Sequence, residues 1–286
     1  MIPAEFDYEA PETLDEAIRM LHENGDEAKL LAGGHSLLPL MKLRLAAPAL
    51  LVDLRRVPGL HGIQRENGSW RIGAMTPHAT LESSPELGLA SSAAATIADP
   101  QVRNRGTIGG SLAHGDPASD LPGILLISDG TVTVQGGAGQ RSIESASLFT
   151  DYLETSIGPD EVLTEVRLPA FDGYGHGYQK FNRRSEDWAM VAVSALVKQT
   201  GDICEDVRVG LTNMASTPLR ATAVEEALRG QPLNAETIAR AAEQAAEGTD
   251  PPPDLNASAE YKRHLARVMC KRALTEAAGL MRAAGP

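Results

Sequence analysis

Cysteine is scarce in this chain: Cys204 and Cys270 are the only two in 286 residues, far apart and with no Cys-x-x-Cys. That excludes a four-cysteine zinc site and any iron–sulfur cluster held by this chain alone. It fits a reducing compartment better than a disulfide scaffold. Cationic residues are also in deficit, 26 Lys and Arg against 38 Asp and Glu, for a formal charge of −12. Nucleic acid and anionic membrane are therefore poor candidates for the main partner, since both call for basic surface. No apolar run is long enough to span a bilayer, and Met1 to Asp7 lacks the basic-then-apolar order of a secretory signal. The expectation is a soluble cytoplasmic protein. Two phosphate-binding signatures are missing as well, the Gly-Lys-Ser/Thr ending of a P-loop and the Gly-x-Gly-x-x-Gly of dinucleotide folds.

What the chain does have is a pair of glycine turns. Leu30-Leu31-Ala32-Gly33-Gly34-His35-Ser36-Leu37-Leu38-Pro39 reads as strand, tight turn and helix, with Ser36 as N-cap and Pro39 tolerated in the first turn. Paired glycines let backbone N–H groups approach a ligand that a Cβ would hold off, and a helix N-terminus behind them favours an anion. Such a turn also occurs with nothing bound. Thr107-Ile108-Gly109-Gly110-Ser111 repeats the design, and two of them suit a ligand with two phosphates.

With 42% hydrophobic residues, the chain is long enough for two domains or one lobed domain. Thr13 to Glu16 reads as a capping box opening a helix that stops at Gly25. Lys29–Ala32 and Leu50–Leu54 are predicted strands around a helix over 37–45, a small parallel α/β unit. From about Val57 the pattern turns antiparallel. Asn67-Gly68 marks one hairpin and Gly-Gly-Ala-Gly after Val134 another, while Leu87–Ala98 reads as a helix and Val162–Leu168 as a strand. Gly173–Gly177 reads as a hinge. Beyond it come strands at Tyr178–Arg183, Met190–Lys198 and Val207–Thr212. A second capping box, Thr222 to Glu225, opens a helix to Gly230. Helices over Ala235–Glu247 and from Ser258 to Leu280 follow, separated by Pro251–Pro253. The last one carries Leu265, Val268, Met269, Arg272 and Ala273 at helical spacing.

His114, Asp116 and Asp120 could ligate a metal, but Gly-Asp-Pro reads more naturally as a turn. Ser36 and Ser111 sit in no nucleophile elbow. Lys180 is either a solvated strand lysine or a cation beside a ligand, and Trp188 either covers the core or a flat ring.

Taken together, Ala32–Arg44, Ala98–Arg103, Thr107–Ser111 and Asp116–Asp120 resemble the FAD-binding medium subunits of molybdenum hydroxylases. Within that family they look most like those of aerobic carbon monoxide dehydrogenases. Gly175–Lys180, Gly210–Asn213 with Thr217-Pro218, Ala259–Tyr261 and Val268-Met269 extend the likeness to the last helix. The resemblance implies an α+β, vanillyl-alcohol-oxidase-type FAD fold. It consists of an α/β subdomain over 1–56, a larger α+β subdomain over 57–176 and a C-terminal domain over 177–286 with a three-stranded antiparallel sheet and three helices. It implies FAD as cofactor, its diphosphate held by backbone N–H groups of Ala32, Gly33, Gly34, His35, Ser36 and Leu37 and of Thr107, Gly109, Gly110 and Ser111. His114, Asp120, Leu163, Lys180 and Trp188 would complete the site. Ser111 and His114 stand where the family carries asparagine, and Trp188 where the carbon monoxide dehydrogenases carry tyrosine. The partners implied are a large molybdopterin-containing subunit and a small [2Fe-2S] subunit, in a dimer of heterotrimers. Electrons would leave to an acceptor such as a quinone, and a peripheral place on the inner membrane face is compatible. Alternatives are the medium subunit of another molybdenum hydroxylase, one acting on a purine, an N-heterocycle or an aldehyde, a self-sufficient flavin oxidoreductase and a flavin-free scaffold.

Overall fold

The computed structural model describes residues 2–280. Its N-terminal unit is a three-stranded parallel sheet in which Leu50–Asp53 lies between Asp7–Glu9 and Ala28–Leu31. Strands Ala28–Leu31 and Leu50–Asp53 match the expected α/β unit. The first strand was not foreseen, because its three residues are all exposed and carry no apolar alternation. Helix Leu14–Asn24 buries Ala17, Ile18 and Leu21 against this sheet and ends at Gly25 with φ +53°. Its expected capping box is half formed. Thr13 Oγ1 accepts from Glu16 N–H at 3.2 Å, but the Glu16 carboxylate accepts from Glu12 N–H rather than from Thr13.

The second unit is a five-stranded antiparallel sheet in the order 63–66, 69–73, 162–169, 131–136, 139–144. Asn67 and Gly68 both have positive φ, as a type I′ hairpin turn needs. The helix expected over 87–98 is shorter, Leu89–Ala94, because Gly88 breaks the chain at φ +55°. Asp99-Pro100 starts a separate short helix, Pro100–Arg103, with Asp99 Oδ1 accepting from Val102 N–H at 2.8 Å. Helix Asp120–Ile127 was missed. Leu121, Ile124, Leu125 and Ile127 are all buried, so it shows no amphipathic period. It lies in a single core that joins Val132, Val134 and Val166 of the second sheet to Tyr178, Ala192 and Leu196 of the next.

The C-terminal sheet has four antiparallel strands, not three: Gly175–Phe181, Val191–Thr200, Ile203–Thr212 and the two-residue Leu219–Arg220. A two-residue strand has no period to read. The capping box expected at Thr222 does not form either. Ala221 is the N-cap, and buried Glu225 accepts instead from Val209 N–H at 2.9 Å and Arg220 Nε at 2.8 Å. Helix Ala235–Ala242 is shorter than expected and has its own box, Asn234 with Thr237. The last helix, Ala259–Ala277, is capped by Ser258 and buries Leu265, Met269 and Ala273, while Val268 packs half-buried at the edge of that face and Arg272 is exposed. Lys262, on that face, donates to Pro252 O at 2.7 Å and pairs with Asp254 at 2.8 Å, tying the proline segment down. Cys204 and Cys270 are buried, and burial pushes their thiols up to about 11 and about 12. No helix among the described residues is long and apolar enough to cross a membrane.

The glycines expected to form a hinge do something else. A Cβ on Gly175 would stand 1.9 Å from Ala277 O, and one on Gly177 2.2 Å from Ala273 O. They let the first C-terminal strand lie directly on the backbone of the last helix. Gly177→Ala is therefore expected to cost about 1–3 kcal/mol through forced separation of strand and helix, read as a lowered denaturation midpoint.

Candidate functional site

A cleft of about 590 Å³ runs between the parallel sheet, the helix that follows the second glycine stretch, and the C-terminal sheet. Ala32, Gly33, Gly34, His35, Ser36, Leu37, Thr107, Gly109, Gly110, Ser111, His114, Asp120, Leu163, Lys180 and Trp188 all line it. Sequence-distant residues thus meet in one cleft.

The first turn follows the C-terminal end of strand Ala28–Leu31, where parallel sheets present ligands. Gly34 sits at φ +79°, a conformation that carries little cost only for glycine. From Gly33 to Leu37 the backbone N–H groups find no main-chain acceptor among the described residues. Ser36 occupies the N-cap position of helix Leu37–Lys42, but its hydroxyl makes no cap bond and its backbone is already helical. The helix also ends at Lys42 rather than Leu45. The result is a row of five consecutive unspent donors, an anion cradle made of main chain.

The second stretch has the same spelling and a different role. Thr107 caps helix Ile108–His114, its Oγ1 accepting from Gly110 N–H at 3.2 Å. Ile108 N–H donates to Thr76 O, Gly109 N–H to Ala74 O, and Ser111 N–H to Thr107 O. Its donors are spent inside the protein, unlike those of the first turn. Its glycines serve contact between segments. A Cβ on Gly109 would fall 2.6 Å from Ala74 Cβ, and one on Gly33 2.3 Å from Arg105 O. Gly33 thus has a reason for its smallness within the protein itself, since the two turns dock through it. Thr107→Ala, which removes the cap, is expected to cost about 1 kcal/mol, measurable as a shift in urea midpoint.

At the other end of the cleft, Lys180 is not a solvated strand lysine. Its side chain is 5% exposed and its Nζ lies 3.0 Å from Asp120 Oδ2, with Thr96 O at 3.2 Å. Tyr178 Oη donates to Asp120 Oδ1 at 2.5 Å. Burial holds the Asp120 carboxyl above its ordinary range, against the pull of Lys180, and pushes the Tyr178 phenol well up. Leu163 is buried beside them, whereas Trp188 is 53% exposed at the rim with Glu186 and Asp187. Ser111 Oγ and Ser119 Oγ are 2.7 Å apart on the wall. Asp120 is thus engaged by Lys180, and Asp116 Oδ1 accepts from Ala118 N–H in a turn. Among the described residues no group of three or more His, Cys, Asp or Glu is placed to hold a metal.

Sequence reasoning missed other parts of the wall. Thr155, Ile157, Gly158 and Pro159 reach it from the end of a two-stranded ribbon, Phe149–Asp151 with Glu154–Thr155. Those strands are too short to show a period. His78 also lines it. Burial, with His35 and Arg103 near, pushes its imidazole down to about 4, and its Nδ1 is buried without a hydrogen-bond partner among the described residues.

The site as built is an elongated slot. It has a main-chain anion cradle at one end, and a buried ion pair with an aromatic rim at the other. A ligand with a charged diphosphate centre and a flat ring, as FAD has, fits that sequence of environments.

Comparison with known proteins agrees. Residues 4–171 match the family model described as the FAD binding domain in molybdopterin dehydrogenase, and residues 176–277 the CO dehydrogenase flavoprotein C-terminal domain. The chain is 42% identical to the carbon monoxide dehydrogenase medium chain of Hydrogenophaga pseudoflava, over 97% of this chain and 98% of that one. It is 40% identical to subunit alpha of the 6-hydroxypseudooxynicotine dehydrogenase complex of Paenarthrobacter nicotinovorans, over 97% and 96%. A solved structure of the Hydrogenophaga pseudoflava carbon monoxide dehydrogenase superposes with a TM-score of 0.94, covering 99% of this chain and 100% of that one at 42% identity.

Proposed function

Because the chain belongs to the FAD-binding medium subunits of the molybdenum hydroxylases, we propose that it is the electron-transfer flavoprotein of a carbon monoxide dehydrogenase-type complex. Its partners are a large molybdopterin-containing subunit and a small [2Fe-2S] subunit, assembled as a dimer of heterotrimers. The complex is cytoplasmic, with peripheral attachment to the inner membrane face, and delivers electrons to a quinone.

The observation that carries this reading is the row of unspent N–H groups from Gly33 to Leu37 on the cleft wall. Those donors bind the FAD diphosphate. Thr107 and Gly110 shape the turn beside it, and Ser111 and His114 line the wall that follows. The Asp120–Lys180 pair, Leu163 and Trp188 would hold the flavin ring at the other end of the cleft. FAD, when bound, supplies the redox couple that takes electrons one or two at a time. The chain itself positions the cofactor and keeps water from most of it. No side chain in the cleft has to take a proton from the substrate, which is oxidised on another subunit.

The 40% identity to the 6-hydroxypseudooxynicotine dehydrogenase subunit, beside 42% for the carbon monoxide dehydrogenase chain, favours one second reading. In it the large partner oxidises an N-heterocycle, a purine or an aldehyde instead. The test is the absorbance spectrum of the native complex, purified through a tag on this chain, before and after anaerobic addition of carbon monoxide. Bleaching of flavin and iron–sulfur bands supports the first reading. Flavin and clusters that carbon monoxide does not bleach support the second. A lone yellow protein without partners sinks both in favour of a self-sufficient flavoenzyme.

A further inference from the structure

His78 belongs to no motif and is 5% exposed. It opens the short helix His78–Glu82, and its backbone N–H donates to Gly106 O at 2.9 Å. That bond holds the ring over Gly106. A Cβ there would lie 2.7 Å from His78 Cδ2 and 3.0 Å from Nε2, so glycine at 106 is what lets the imidazole pass toward the cleft. Gly106 in turn lies against Gly33, where a Cβ would come 2.7 Å from Gly106 Cα. The ring therefore stands beside the anion cradle, not at the Lys180 end.

Its hydrogen-bonding capacity is unspent. Nδ1 is sealed from solvent with no partner among the described residues. A neutral imidazole has one N–H and one bare nitrogen. A donor left unpaired in a sealed pocket costs more than an unfilled acceptor, so the proton belongs on Nε2. Resting on the FAD reading above, we propose that His78 is a cofactor-binding residue, donating from Nε2 to the diphosphate–ribose part of FAD beside the Gly33–Leu37 turn. With Nδ1 sealed away, Nε2 is the ring nitrogen left to meet a ligand in the cleft that His78 lines, and no protein group takes it among the described residues.

The test uses the full chain stripped of flavin. FAD is titrated by flavin fluorescence into wild type and His78→Leu, with ADP and FMN as separate competitors. His78→Leu is expected to weaken FAD and ADP by about 10-fold or more and FMN by less, since FMN carries only one phosphate of the pair and no adenosine ribose. The melting temperature of the stripped variant should be equal or higher, since an unpaired buried nitrogen has been removed. In wild type with 15N-labelled histidine, the His78 Nε2 resonance should move on adding FAD or ADP. Equal FAD affinity in both proteins, or a His78 resonance indifferent to FAD, overturns the proposal while the FAD reading stands. If His78→Leu does not fold, the wild-type resonance decides alone. Wild type that binds no FAD removes both readings together.

Discussion

Gly33→Ala is expected to yield a chain that purifies without flavin and melts early. The reason lies in the protein rather than in the ligand. The added methyl would stand 2.3 Å from Arg105 O, 2.7 Å from Gly106 Cα and 2.8 Å from Arg105 C, all backbone. No rotamer change relieves a contact of Cβ with main chain. The turn and the segment before Thr107 must separate, at a cost of about 3 kcal/mol by analogy with overpacked cores. Separation also disperses the aligned donors from Gly33 to Leu37. Gly110 offers a contrast. A Cβ there would press mainly on Thr107 Oγ1, at 2.8 Å, a side chain able to yield at the expense of its cap. Gly110→Ala should keep more flavin than Gly33→Ala. Flavin-to-protein absorbance ratios of the two variants check this; full flavin in Gly33→Ala refutes the docking argument.

Lys180→Met is expected to be at least as damaging to stability, at about 3–5 kcal/mol, the usual cost of stranding one member of a buried pair. Asp120 would keep only Tyr178 as partner, with its carboxylate 3% exposed. The pH dependence identifies the mechanism. Burial raises the Asp120 carboxyl above its ordinary 3.8 in the folded chain, so the folded state holds that proton more tightly than the unfolded one. Its cost to stability is absent below the unfolded value and grows as pH rises through the folded one. Without Lys180 the folded value climbs further, so the variant should lose stability from acid toward neutral pH more steeply than wild type. Adding Asp120→Asn should recover much of the loss, because the stranded charge disappears. Chemical denaturation of the four proteins across that range supplies the answer. A uniform loss at every pH, unrelieved by Asp120→Asn, would point to packing instead.

What could be read in the sequence was whatever has a period or a punctuation mark. The parallel unit, both hairpins and the C-terminal meander announce themselves through apolar spacing and Asn-Gly or Gly-rich turns. Helix Asp120–Ile127 does not, since a helix buried all round loses its polar face. The cleft was legible at Ala32–Leu37 and Thr107–Ser111 because glycine pairs are conspicuous. Yet identical spelling concealed opposite uses, one turn offering donors and the other consuming them. Only the neighbours Ala74 and Thr76, more than 30 residues upstream of Gly109, decide between the two. The same is true of Gly175 and Gly177, whose smallness answers a helix about a hundred residues later.

The cradle from Gly33 to Leu37 has an evolutionary corollary. Its donors belong to the peptide bond, so exchanging the side chain at His35, Ser36 or Leu37 leaves the ligand's hydrogen bonds in place. Only proline, which deletes the N–H, or a Cβ where the backbone has no room for one, can remove them. Lineages can therefore vary these three side chains to suit a neighbouring subunit or redox partner without renegotiating the cofactor. Drift is cheap at 35–37 and barred at 33 and 34.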